Sequence, residues 1–239
     1  QMEHINPMSG MALPVSAGTD EQQAAFIKKT YAHVALAVLG CVMVEYGFLS
    51  TPVITNLALS LTQGWSWLIM LGIFMFATTM AENWAMSSTD RNMQYAALLL
   101  YVVAQAFIFI PLLYIAINVI GDASIVFNAG MLTLALFSGL TAIVFFTGKD
   151  FSFLRNFIAI GGMMAMALIV LGILFGFTLG LFFSFAMVAL AAASILYQTS
   201  NMLHVYNQDQ YVAASLGLFA SLMLMLWYIM RILISFSGD

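Results

Sequence analysis

The sequence contains very little charge. Only 7% of its 239 residues are Asp, Glu, Lys or Arg, whereas about a quarter are charged in an average soluble domain. Hydrophobic residues make up 63%, and the mean hydropathy is +1.02. The ten acidic and six basic residues are scattered and form no basic patch, which argues against nucleic acid as a partner. The composition therefore predicts a polytopic membrane protein.

Cysteine and the common catalytic signatures are almost absent as well. The single Cys41 lies in an apolar stretch and has no partner for an internal disulfide, so we expect a small buried side chain. The sequence contains no HExxH, no GxSxG and no phosphate-binding glycine loop. Neither His33 nor His204 has a second His or Cys at the spacing of helical metal ligands. We expect no enzyme activity, no catalytic residue, no metal site and no cofactor.

Long apolar runs dominate what the sequence does contain. A transmembrane helix needs about 20 mainly apolar residues to cross roughly 30 Å of hydrocarbon. Seven stretches meet this requirement: residues 28–50, 65–84, 94–119, 125–147, 154–176, 180–200 and 211–234. The sequence predicts an all-α membrane protein, a bundle of seven transmembrane helices. Because the connection at residues 176–180 is short and nearly apolar, a fused or re-entrant pair of spans is the alternative there.

The N-terminal segment is polar and shows no helical periodicity. Pro7, Gly10, Pro14 and Gly18 interrupt it. We predict a flexible cytoplasmic tail over residues 1–26, with docking through its few apolar residues as the alternative. The transmembrane domain is then expected to cover residues 27–236.

The basic residues predict an orientation. If there are seven spans, five of the six fall on one side of the membrane: Lys28, Lys29, Arg91, Lys149 and Arg155. Arg231 falls on the other side. By the positive-inside rule the N-terminus is cytoplasmic and the C-terminus lies on the opposite side. We expect a multi-pass protein of the bacterial inner (plasma) membrane, with an organelle membrane as the alternative.

Four motifs follow one another along the chain: FIKKTYAHVALAVL at residues 26–39, FIPLLY at 109–114, TGKDFSFL at 147–154 and ILYQTSNMLH at 195–204. Their order and spacing resemble the Bax inhibitor-1 family of membrane proteins over nearly the whole chain after Ala24. The resemblance implies a bundle of seven helices in which the C-terminal helix is central. It also implies two kinds of activity: a pH-gated calcium leak, and binding to membrane-protein quality-control machinery in bacteria.

The resemblance implies a pair of carboxylates behind the calcium leak, one in the sixth span and one in the seventh. Two acids that share a site can hold a proton between them and so couple closure to pH. This sequence has Gln198 and Ser221 where the two acids are expected, and neither side chain titrates near neutral pH. The resemblance thus carries over the fold but not the di-acid pH switch.

The polar residues around these two positions form the candidate ion pathway or sensor. Its members are Gln198, Asn201 and His204 near the end of the sixth span, Ser221 in the seventh, and Glu82 in the second. Each also has a structural interpretation. Glu82 can be an acid that faces the membrane interface, and His204 can be a hydrogen-bonded structural histidine.

Two functions of different classes remain open. The first is an accessory or regulatory subunit that binds a larger membrane protein complex, such as a membrane protease or a respiratory or photosynthetic assembly. The missing acid pair favours it. The second is a cation leak channel, for Ca²⁺ or H⁺, that lacks the family's di-acid switch. The lipid bilayer is a partner under either interpretation.

Overall fold

A computed structural model describes residues 15–87 and 90–238, and within these ranges the chain is helical with no strands. The helices are α1 (Asp20–Leu49), α2 (Pro52–Ser60), α3 (Trp65–Ser87), α4 (Arg91–Tyr114), α5 (Ser124–Thr147), α6 (Leu154–Phe175), α7 (Leu181–His204) and α8 (Tyr211–Ser237). A 3₁₀ turn at Val15–Ala17 precedes α1, and a π-helical turn at Ile115–Val119 extends α4. All but α2 are long and apolar enough to cross a membrane. The predicted fold class and the seven spans are confirmed.

Helices α4 and α8 are the most buried elements of the bundle. α8 packs against α1, α3, α4, α5 and α7, and it carries fully buried side chains such as Phe219, Met225 and Met230. Its sequence is apolar on every face, as expected for a helix that other helices surround. α6 is almost entirely exposed and packs mainly against α7. In the described bundle, α8 is therefore packed against several helices, whereas α6 is packed mainly against one.

Glycine residues end two of the spans. Gly148 after α5 and Gly176 after α6 adopt left-handed backbone conformations, with φ of 59° and 73°. This conformation stops an α-helix and is accessible to glycine at little cost. α6 and α7 are thus separate helices, and the alternative of a fused pair at residues 176–180 is excluded.

The start of α1 differs from the predicted tail boundary. Residues 1–14 of the tail lie outside the described residues, but α1 already begins at Asp20. The hydroxyl of Thr19 accepts the Gln22 N–H at 3.3 Å, and the Gln22 side chain accepts the Thr19 N–H at 3.0 Å. Such a capping box starts a helix. Val15 is fully buried, and its N–H donates to the carbonyl oxygen of Tyr206 at 2.9 Å. Residues 15–26 are therefore helical or packed against the α7–α8 connection.

The predicted basic side of the protein comes together in the structure. Arg91 lies 3.6 Å from the Asp209 carboxylate and donates to the Asp209 carbonyl oxygen at 3.1 Å. The Arg91 guanidinium and the Lys29 ammonium both lie over the Tyr211 ring, at 4.5 and 5.4 Å from its centroid. We call this end of the bundle, where α1, α4, α6 and α8 begin, the basic end. Arg231 lies near the opposite end.

Candidate functional site

A cavity of about 1000 Å³ lies between α3, α4, α6, α7 and α8. Its lining includes Tyr206 and Arg155 at the basic end, and Leu179 and Arg231 at the opposite end. Between the two ends, mainly apolar side chains form the wall, among them Leu71, Phe74, Ile169, Leu190 and Leu224. The cavity therefore extends over most of the depth of the bundle.

Four of the five predicted site residues line this cavity: Glu82, Gln198, Asn201 and Ser221. Gln198 and Asn201 are three residues apart and so lie on the same side of α7. The Gln198 side chain lies against the backbone of α8, because a Cβ atom at Gly217 would be 2.7 Å from Gln198 Oε1. Glycine at position 217 makes this close contact possible.

Ser221 forms one hydrogen bond within α8 and one to α7. Its hydroxyl donates to the Gly217 carbonyl oxygen at 3.0 Å and accepts from the hydroxyl of Ser194 at 2.8 Å. Ser194 lies one turn before Gln198 and was not among the predicted site residues. Where the resemblance would place two carboxylates, the structure has an amide and two hydrogen-bonded hydroxyls. This arrangement holds no proton that could be released near neutral pH.

Charged and phenolic groups mark the basic end of the cavity. Glu82 lines the wall there and forms no salt bridge within the described part of the chain. Burial raises the pKa of Tyr206, in the α7–α8 connection, to about 12, with smaller contributions from Tyr197 and Glu82. The Tyr206 hydroxyl is therefore neutral at physiological pH. Arg155, at the start of α6, is exposed and also lines this end.

His204 does not line the cavity, so the structure separates it from the other four predicted residues. Its Nδ1 atom lies 2.9 Å from the Ser200 carbonyl oxygen. The Ser200 hydroxyl accepts the Phe151 N–H at 2.9 Å and donates to Asp150 Oδ1 at 3.3 Å. His204 thus belongs to a contact between α7 and the α5–α6 connection, which supports its structural interpretation.

A second polar cluster joins two of the sequence motifs. It consists of Asp150, Ser152, Ser200 and His204, and we call it the loop latch. Asp150 Oδ1 accepts from the hydroxyl of Ser152 and, at 2.9 Å, from the Ser152 N–H. These two hydrogen bonds hold the pKa of Asp150 below its usual range, and Ser200 and His204 contribute less. The latch fastens TGKDFSFL to ILYQTSNMLH, and shared motif residues were the only signal of it in the sequence.

A smaller groove of about 360 Å³ lies between α1 and α5, and we call it the α1/α5 groove. Its lining consists of Tyr31, Phe137, Ser138, Thr141, Ala142, Phe145 and Phe146. The hydroxyls of Tyr31 and Thr141 are buried and lie near each other and near the hydroxyl of Thr199. Next to the groove, Gly139 is exposed, and a Cβ atom there would meet nothing within 4 Å. No sequence pattern indicated this groove, because its residues come from two distant spans.

Comparisons with known proteins match most of the chain. The family model described as Inhibitor of apoptosis-promoting Bax1 matches residues 23–238, nearly the whole chain. An uncharacterized protein of Pseudomonas aeruginosa is 32% identical over 113 residues, which are 47% of this chain and 50% of the relative. The match thus spans about half the length of that relative. Uncharacterized proteins of Neisseria meningitidis serogroups A and B are each 24% identical over 201 residues, 81% of this chain and 88% of theirs.

Proposed function

The chain belongs to the Bax inhibitor-1 family, and from this membership we propose that it is an accessory or regulatory subunit that binds another membrane protein complex through the α1/α5 groove. The observation that carries the proposal is the groove itself, a concave surface whose lining is mainly apolar and includes the 89% exposed side chain of Phe146. A transmembrane helix of a partner would fill the groove and bury this surface.

Small residues beside the groove fit such a partner. Ser138, Gly139 and Ala142 lie within about one turn of α5, and Ala135 lies one turn before Gly139 on an exposed face. Small residues four positions apart allow two helix backbones to approach closely in lipid. A membrane protease or a respiratory assembly contains helices that could occupy this place. The amide and hydroxyls that replace the family's acid pair also support a role other than gated conduction.

Site-specific crosslinking in the native membrane tests the proposal. A photoreactive phenylalanine analogue replaces Ser138 in the groove, and in a control variant it replaces Met163, which is 66% exposed on α6. We expect a crosslinked product of one defined, larger mass from position 138 and none from position 163. A product of twice the chain mass would indicate self-association instead. The absence of any protein adduct at position 138 would contradict the proposal.

A substitution next to the groove provides a second criterion. Gly139→Leu adds a side chain on the face that we assign to the partner, so we expect it to abolish the crosslink from position 138. Gly47→Leu is the matched control, because Gly47 is also an exposed helical glycine with nothing within 4 Å of a Cβ atom. It should leave the crosslink unchanged, and equal loss in both variants would count against the groove.

A cation leak is the second candidate, and the cavity is the observation that favours it. Four of the predicted site residues line the cavity, Glu82 among them, and Gln105, Thr178 and Ser194 add further polar groups. Arg155 and Arg231 near its two ends would repel cations. Purified protein in liposomes should then conduct Ca²⁺, and Gln198→Leu should reduce the flux severalfold. Ser138→Leu, outside the cavity, should not. No flux above empty liposomes between about pH 6 and 8, where the family's switch would operate, would remove this candidate.

A further inference from the structure

The cavity between α3 and α6 has the character of a lipid site. We propose that it holds one phospholipid, with the acyl chains along the apolar wall and the phosphate on Arg231. This inference concerns a different part of the molecule from the α1/α5 groove and does not depend on the partner proposed there. A lipid in this place would also fill the volume that a cation leak requires.

The position of the cavity gives a lipid access to it. α6 packs mainly against α7, and α3 packs against α4 and α8, so α3 and α6 form no extensive interface within the described residues. The cavity therefore faces the hydrocarbon between these two helices. Its volume of about 1000 Å³ is at the upper end of the range for small-molecule sites, roughly 300–1000 Å³. Gln105, Ser194 and Ser221 also line the cavity, but most of its lining is apolar. An acyl chain can cover this apolar part without needing a hydrogen-bond partner.

Arg231 provides a place for the phosphate. Its guanidinium is half-buried, donates one long hydrogen bond of 3.5 Å to the Leu179 carbonyl oxygen, and lies 6.0 Å from the centroid of the Tyr228 ring. No carboxylate within the described chain lies within salt-bridge distance of it. Arginine binds phosphate through two parallel hydrogen bonds. Arg231 thus keeps donors free for a phosphate that reaches the cavity.

Aromatic residues at the same end indicate the depth of the headgroup. Trp67 and Trp227 both line the cavity, and their rings stack with centroids 6.2 Å apart. Tryptophan and tyrosine lie preferentially at the level of lipid headgroups. Arg231, Tyr228 and the two tryptophans therefore form the surroundings of a headgroup, with the apolar wall below them.

The other end of the cavity is less suitable for a phosphate. Arg155 lines it too, but Glu82 adds a carboxylate to the same end, and the carboxylate repels an anion. Gln198 and Asn201 add neutral amides. The charges of the lining thus favour a phosphate on Arg231 over one on Arg155.

Native mass spectrometry of the full chain in mild detergent tests the proposal, with phosphatidylglycerol as the added probe. We expect one tightly retained lipid per chain. Arg231→Gln should weaken its binding roughly tenfold, because the charge-assisted hydrogen bonds to phosphate are lost. Arg231→Lys should restore part of the binding, and Arg155→Gln should leave it unchanged. Equal binding by Arg231→Gln and the wild type would overturn the assignment of the phosphate.

A cavity-filling variant tests the acyl chains separately. Gly162 lines the cavity, and a Cβ atom there would meet nothing within 4 Å, so Gly162→Phe can extend into the empty volume without a clash. We expect it to lose the retained lipid, whereas Gly47→Phe, outside the cavity, keeps it. Thermal unfolding confirms that each variant is folded. Wild-type retention by Gly162→Phe, or displacement of the lipid by an excess of inorganic phosphate, would overturn the proposal.

Discussion

Gln198 lies against the backbone of α8 because residue 217 has no side chain. The three atoms nearest to a Cβ built at Gly217 all belong to the Gln198 side-chain amide, at 2.7–3.3 Å. A larger residue there must displace this amide toward the cavity. Gln198 is thus held by steric contact with α8, whereas Ser221 is held by hydrogen bonds.

Gly217→Leu should lower the free energy of unfolding by about 1–3 kcal/mol, the usual cost of overpacking. Adding Gln198→Ala removes the displaced amide, so the double variant should recover a large part of the loss. Denaturant titration in detergent measures both values. Gly47→Leu, where a Cβ atom would have no neighbour within 4 Å, is the control. Additive effects of the two substitutions would show that Gln198 and Gly217 do not contact each other.

Helix α7 presents two polar surfaces at its end, and each has a different neighbour. Gln198 and Asn201 face the cavity, while Ser200 and His204, four residues apart, face the α5–α6 connection. This division follows from the helical repeat, which brings residues three or four apart onto one side. One element therefore combines the candidate site with the loop latch that fixes its end.

The latch should be insensitive to pH in the physiological range. Because its hydrogen bonds lower the pKa of Asp150, the carboxylate stabilises the latch above its unfolded pKa of about 4 and loses this effect as pH falls through the folded pKa. Hydrogen exchange of the Phe151 amide, corrected for intrinsic rates, should show constant protection from about pH 5 to 8 and a loss below about pH 4.

Asp150→Asn should weaken the protection of the Phe151 amide and remove its acid dependence. Asp122→Asn is a suitable control, because Ser124 holds the pKa of Asp122 low in the same way but in the distant α4–α5 connection. A transition between about pH 6 and 7 would instead indicate that a group other than Asp150 controls the latch.

The sequence predicted well the helices that are defined by a long run of apolar residues. Apolar runs of about 20 residues define the seven spans regardless of what surrounds them. The short helix α2 was not predicted, because its nine residues are too few for a span, although Pro52 occupies the first turn, which proline favours. The start of α1 was placed too late, since a capping box over Thr19 and Gln22 depends on local geometry.

The candidate site was predictable only in part. Four polar residues do share one cavity, because their depth and helix face follow from the sequence. His204 lies one turn from Ser200 but six residues, about one and two-thirds turns, from Gln198, so it faces a different side of α7. That side contacts the α5–α6 connection through Ser200. Arg231 was known only as a terminal charge, and Ser194 only as part of a span. Their roles depend on which helices are neighbours, and periodicity does not give that information.

The whole molecule has two chemically different ends. Lys29 and Arg91 gather around Tyr211 at one end, and Arg231 lies near the other, beside the α6–α7 connection. Positive charge close to the ends of spans is retained on the cytoplasmic side of a membrane. The basic end is therefore the side that we predict to be cytoplasmic.

Labelling with a membrane-impermeant maleimide tests this orientation. Single cysteines replace Asp209 at the basic end and Asp122 at the opposite end, in a Cys41→Ser background that by itself should not react. Both positions are exposed. We expect Asp122→Cys to react in intact spheroplasts and Asp209→Cys only in inverted vesicles. The reverse pattern would invert the predicted orientation, and reaction of both from one side would contradict the seven spans.

The hydrogen bond between Val15 and Tyr206 joins residues that leave the ribosome far apart in time. The N-terminal turn is synthesised first, yet its binding place in the α7–α8 connection appears only after six spans have entered the bilayer. Until then the N–H of Val15 lacks the carbonyl oxygen that it binds in the finished protein. Docking of the N-terminal turn is therefore among the last steps in the maturation of the chain.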